Sequence, residues 1–124
     1  MKSLFTILFT FYCFFTSHGQ VSNMYFINGL PLDSIQAEYI EAETCRVAFS
    51  TKVFLDIDYG QESKILYNKY NRVADTTGDY IEFKSNMDAL NYLSSIGYEL
   101  IDTDYLRMKD DEIRVKYMLK KKGK

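Results

Sequence analysis

Only one stretch of this chain carries the 3.6-residue rhythm of a helix, and period-two alternation flanks it on both sides. Met87, Leu90, Leu93 and Ile96 recur at helical spacing, and Ser85-Asn86-Met87-Asp88 has the form of a capping box. Gly97 is placed to close the helix in the left-handed conformation. Before it, Val53, Leu55, Ile57 and Tyr59 alternate with Lys52, Phe54, Asp56 and Asp58 until Gly60, the pattern of a strand buried on one side. After it, Tyr98 to Met108 reads as extended and Lys109-Asp110-Asp111 as a turn. Ile113, Val115, Tyr117 and Leu119 then alternate with Arg114, Lys116, Met118 and Lys120, which predicts an antiparallel hairpin. A single helix among strands, with no regular β-α alternation, predicts an α+β domain: an antiparallel sheet with one helix packed on one face.

The remaining segments fit that frame. Met24 to Ile27 predicts a short strand, Asn28-Gly29 a tight turn, and Leu30-Pro31-Leu32 its return. Glu38 to Phe49, rich in Tyr, Ile, Thr, Val and Phe, predicts one longer extended stretch. Ile65 to Tyr70 is a weaker strand, and Asp75 to Asp79 is a turn ahead of Tyr80-Ile81-Glu82-Phe83. No repeat or long linker divides the chain. The expected organisation is a signal peptide over 1–19, an N-terminal lead-in over 20–37, and a small α+β domain over 38–122.

The first segment is read as a signal because Lys2 supplies a positive charge, Leu4 to Phe15 is apolar apart from two Thr, and Ser17-His18-Gly19 offers small residues to a peptidase. A dozen apolar residues are too short to cross a bilayer core of roughly 30 Å as a helix. Cleavage near Gly19, with a periplasmic or secreted product and no stable membrane insertion, is therefore expected. Phe11 and Tyr12 before Cys13, where small residues belong, argue against lipidation.

Cleavage removes His18, the only His, together with Cys13. The mature chain then has no Ser-His-Asp or Cys-His triad and no His-containing zinc site. Cys45 has no internal disulfide partner, so it is expected as a buried small hydrophobe, with an intermolecular partner as the alternative. The mature chain carries 14 basic and 17 acidic side chains, and six of the basic ones lie from Ile113 onward. An acidic body disfavours nucleic acid, which needs a positive footprint. Lys120 to Lys124 has the charge to touch an anionic polymer, but reads first as a solvated end.

Asp56 and Asp58 share one face of a strand about 7 Å apart, with Glu62 after Gly60. An EF-hand needs Glu at loop position 12, where Asp56 leads to Tyr67 and Asp102 to Ile113. An exposed strand face is expected instead, with no metal and no cofactor. A carboxylate hydrolase would need a raised pKa in an apolar pocket, and Glu99, between Tyr98 and Leu100, is the acid placed closest to that. The mature chain has ten Tyr against four Phe. Tyr59, Tyr92, Tyr98 and Tyr117 fall on core phases, whereas Tyr67, Tyr70 and Tyr105 are free to line a binding patch. No nucleophile elbow or phosphate loop is present.

Four passages carry a likeness: Asp58-Tyr59-Gly60-Gln61, Asp88-Ala89-Leu90-Asn91-Tyr92-Leu93, Gly97-Tyr98-Glu99-Leu100 and Tyr117-Met118-Leu119-Lys120-Lys121. They resemble short exported bacterial proteins of unknown function. The helix-Gly-aromatic-Glu-apolar passage with a closing basic strand is also similar to a domain-of-unknown-function family. Trp is common in both groups where this chain has Tyr98. The resemblance spans Tyr39 to Lys121 and implies export and a small α+β fold, with no activity attached.

Together these features predict a non-enzymatic exported module that binds an envelope or extracellular protein through an exposed strand edge or a Tyr patch. The alternatives are a domain for a small glycan-like ligand, which a deep Tyr-lined apolar pocket would favour, and a carboxylate-based hydrolase.

Overall fold

The computed structural model describes residues 24–62, 71–109 and 112–123. The expected signal segment, the Ile65 to Tyr70 strand and the Asp110-Asp111 turn positions lie outside the described residues. Among the described residues the architecture is α+β, with antiparallel sheets of four and two strands and a single α-helix packed on the larger sheet.

Asn28 and Gly29, at φ 51° and 77°, form the two-residue turn that joins β1 (Phe26–Ile27) to β2 (Leu30–Pro31). A 3₁₀ turn over Leu32–Ser34 follows. Ile27, Leu32 and Ile35 are fully buried in the common core, so the stretch expected as a lead-in is built into the hydrophobic interior.

β3 (Tyr39–Arg46) and β4 (Val53–Asp58) make a hairpin, and β5 (Tyr98–Arg107) and β6 (Ile113–Lys121) make a second. β3 and β6 pair antiparallel in the middle, giving the order β4-β3-β6-β5. The predicted stretch from Glu38 to Phe49 is shorter than expected. At Val47 the chain turns, with the Val47 N–H donating to the Lys52 carbonyl at 2.9 Å and Phe49 at φ 56°. A positive φ on a bulky residue is costly, and Phe49 stands fully exposed at the tip of this hairpin.

Helix α1 (Asn86–Ser95) runs where the periodicity places it. The Ser85 hydroxyl accepts the Asp88 N–H at 3.1 Å, and Asp88 in turn accepts the Lys84 N–H at 2.9 Å, so one backbone donor of the first turn and one just before the helix are satisfied. Gly97, at φ 100°, ends the helix and turns the chain into β5. Ala89 and Leu93 are the fully buried residues of α1, and with Ile40, Ala42, Leu55, Ile57, Tyr98, Tyr117 and Leu119 they form the core between helix and sheet. Tyr98 and Tyr117 are buried as their phases predict, and Tyr59 and Tyr92 pack half-buried against the core. The Tyr98 hydroxyl donates to the Ala37 carbonyl at 3.0 Å, which satisfies its polar end.

The segment from Arg72 to Phe83 reaches the free side of β4 without becoming a regular strand. Single bridges join Asp56 to Arg72, Val53 to Phe83, Ala74 to Tyr80 and Phe26 to Ala74. The Val73 N–H donates to Leu55, and the Val53 and Phe83 amides exchange bonds with each other's carbonyls. Its tip is the predicted turn, in which the Asp75 carboxylate accepts from the Thr77 N–H, the Thr77 hydroxyl and the Asp79 N–H. Those donors hold the Asp75 pKa below the usual carboxylate value, the Thr77 hydroxyl most of all.

Candidate functional site

The face of the sheet away from α1 is built from the polar phase of each strand. β3 contributes Glu41, Glu43 and Cys45, β4 Phe54, Asp56 and Asp58, and β6 Arg114, Lys116, Met118 and Lys120. The basic strand β6 thus lies between acidic strands. Lys116 meets Glu41 at 2.7 Å, Arg114 meets Glu43 at 3.1 Å and Lys120 meets Glu38 at 3.7 Å. Every one of these pairs runs toward the β3 side. The Glu41 bond is the main reason that the Lys116 pKa is raised.

Asp56 departs from the exposed position expected of it: only 5% of its surface is accessible. Arg72 folds over it as a bidentate partner, Nε at 2.8 Å and Nη2 at 3.2 Å, and its guanidinium lies 4.4 Å from the Phe54 ring centre and 5.5 Å from that of Tyr80. β4 is therefore covered on both faces, which a period-two pattern on β4 alone does not reveal. Asp58 remains exposed, and its carboxylate accepts the Gly60 N–H at 2.9 Å. Among the described residues no group of three or more His, Cys, Asp or Glu side chains is placed to hold a metal ion.

Cys45 is half-buried rather than buried, because it sits on the polar face and not on the helix side. Its thiol donates to the Glu112 carboxylate at 3.4 Å. Burial, and then the neighbouring Glu112, push its pKa up against the opposing pull of Arg114, so the thiolate population at neutral pH is small.

Three clefts among the described residues are open to a small ligand. One of about 180 Å³ lies among Glu41, Glu43, Asp56, Asp58, Asn71 and Lys116. One of about 290 Å³ lies between Arg46, Thr51 and the start of α1. A third, about 320 Å³, runs between Leu90, Asn91 and Ser94 of α1 and Glu99 and Leu100 of β5. Tyr98 is the single Tyr among all their lining residues. Glu99, the acid of interest for hydrolysis, is exposed on β5 rather than enclosed in an apolar pocket.

The two edges of the large sheet differ. β4 has the Arg72 to Phe83 segment bridged to it, whereas β5 is bonded to β6 on one side and to no strand on the other among the described residues. β5 is ten residues long and exposed over most of its length. Its apolar content is high for such a position: Leu100 is 46% exposed, Ile101 53% and Tyr105 71%. An edge strand turns the N–H and C=O of alternate residues outward, a template for another chain. A bulge between Leu100 and Asp102 breaks the register, so the regular run is Asp102 to Arg107.

Of the three tyrosines expected in a binding patch, Tyr105 is displayed on this edge, and Tyr67 and Tyr70 lie outside the described residues. Sequence reasoning did not single out Leu100, Ile101 or Phe49. For the first two the signal is present, since adjacent apolar residues mark a switch of strand phase; Phe49 reads simply as a β-former. No family model, no curated protein and no solved structure matches the chain, so the resemblance drawn above rests on its motifs alone.

Proposed function

We propose that this chain is an exported, non-enzymatic interaction module that takes an extended segment of an envelope or extracellular protein onto the free edge of β5. The asymmetry of the sheet carries the reading: among the described residues one edge has an irregular segment bridged to it, and the other is long, open and apolar. Strand addition gains its affinity from main-chain bonds and its specificity from the side chains on alternate positions. Leu100, Thr103 and Tyr105, paired to Leu119, Tyr117 and Val115, give the helix side of that edge an apolar character. The cleft of about 320 Å³ beside Leu100 is a recess into which a side chain of the added strand fits. Export is supported by Lys2, the apolar run to Phe15 and Ser17-His18-Gly19. No helix among the described residues is long and apolar enough to cross a membrane. A non-enzymatic role is supported by a mature sequence without His and by a single, half-buried thiol whose pKa is raised.

Site-specific photocrosslinking in cells tests this. A photoreactive residue at Ile101 or Tyr105 is expected to capture the same protein, and one at Thr76, exposed on the far side of the sheet, to capture nothing. Equal capture from Thr76, or none from the β5 positions, contradicts the reading.

A further inference from the structure

We infer that the segment received by β5 alternates basic with apolar residues, and that a second copy of this chain is not the natural occupant. The inference rests on strand addition at β5 and names the chemistry of the partner. Glu99 and Asp104 stand opposite Lys120 and Lys116 on the polar face, and Asp102 opposite Met118. All three acids are exposed, and none enters an ion pair among the described residues. The bases that face Glu99 and Asp104 are engaged on the β3 side, Lys120 with Glu38 and Lys116 with Glu41. Along the sheet the polar face therefore reads acidic on β3, basic on β6, acidic on β5, and then stops. A strand added next to β5 sets its side chains about 5 Å from Asp102 and Asp104, the distance at which opposite charges attract and like charges repel. Basic residues at every second position complete the alternation. The positions between them face Thr103, Tyr105 and Leu100, where apolar or aromatic side chains pack.

Self-association meets the opposite situation. An antiparallel pairing of two β5 strands centred on Thr103 places Asp102 against Asp104 twice, and one centred on Asp104 places that residue against itself. A register centred on Tyr105 avoids that clash but sets Asp104 opposite Leu106, with no base to complete the charge alternation. A second copy thus meets these acids with like charge or with no charge partner, whereas a basic strand answers them.

The probes are two labelled nine-residue peptides, both with Val and Tyr at alternate positions, one with Lys and the other with Glu between them. Binding is read by fluorescence anisotropy, and its location by amide hydrogen exchange across 98–107. The Lys peptide is expected to protect alternate amides between 102 and 107, to bind about tenfold more tightly than the Glu peptide, and to weaken as salt is raised. In the variant D102K/D104K, whose altered side chains are solvent-exposed, the preference is expected to reverse. Retained thermal unfolding of that variant shows that its fold is intact. If the Glu peptide protects β5 as well as the Lys peptide does, the charge assignment is overturned and strand addition survives. If neither peptide protects β5, both fall. If β5 becomes protected without peptide as protein concentration rises, and sedimentation shows a dimer, the second copy is the occupant and the inference is overturned.

Discussion

Asp56 and Arg72 are the residues whose loss the fold should feel most. The pair is nearly excluded from water, with side-chain exposures of 6% and 15%, so Arg72→Ala leaves a buried carboxylate without its counter-charge. A loss of about 3–5 kcal/mol in urea-unfolding stability is expected. Arg72→Lys should recover only part of it, because an ammonium does not reproduce the bidentate fork or the stacking on Phe54. At the same scale, burial and then the neighbouring Tyr25 and Asp33 push the Tyr92 pKa up to about 12. A phenol whose pKa is higher folded than unfolded holds its proton more tightly in the native state. Its contribution is therefore complete below about pH 10 and lost as pH rises from about 10 toward 12. Tyr92→Phe should flatten that alkaline decline in a pH series of thermal midpoints, and an unchanged slope would show that Tyr92 is not responsible. Neither feature was legible locally. The polar phase of β4 marks Asp56 as exposed, and its partner is brought in from sixteen residues away.

Elements were read more successfully where a local signal fixes both ends. Helix α1 has a hydroxyl cap at Ser85, an acid at Asp88 and a left-handed glycine at Gly97, all visible in the sequence. Ser85→Ala should cost about 1 kcal/mol. Gly97→Ala should cost about the same, since Gly97 meets no neighbour that a methyl group would strike and the penalty is purely the strain at φ 100°. Thermal unfolding of the two variants checks both, and wild-type midpoints would mean that the helix ends are held by packing instead. The Asn28-Gly29 turn and the Asp75 to Asp79 turn were legible for the same reason. The expected β3 runs too long because Val47 and Phe49 are β-formers placed in a turn, with no Gly or Pro to announce it. The bulge in β5 was missed although Leu100-Ile101 shifts the apolar phase from even to odd positions, and the hairpin around it was still correctly paired.

At the scale of the whole molecule, periodicity predicts strands and a helix but not which strand lies at an edge. Order arises from long-range pairing: β3 meets β6 across more than seventy residues, and that contact pushes β5 and β4 to the outside. The Arg72 to Phe83 segment then bridges to β4, leaving β5 as the open side among the described residues. The sequence expectation of an exposed strand edge names no strand, because which strand lies outermost is set by this long-range pairing. The functional reading depends on that edge being open. The decisive measurement is residue-resolved amide hydrogen exchange across 98–107 in the purified protein, compared with β3 and β6. Alternate amides between 102 and 107 should exchange much faster than those of β3, in the pattern of a strand bonded on one side only. If every β5 amide is as protected as those of β3, the edge is already covered, and the account is wrong.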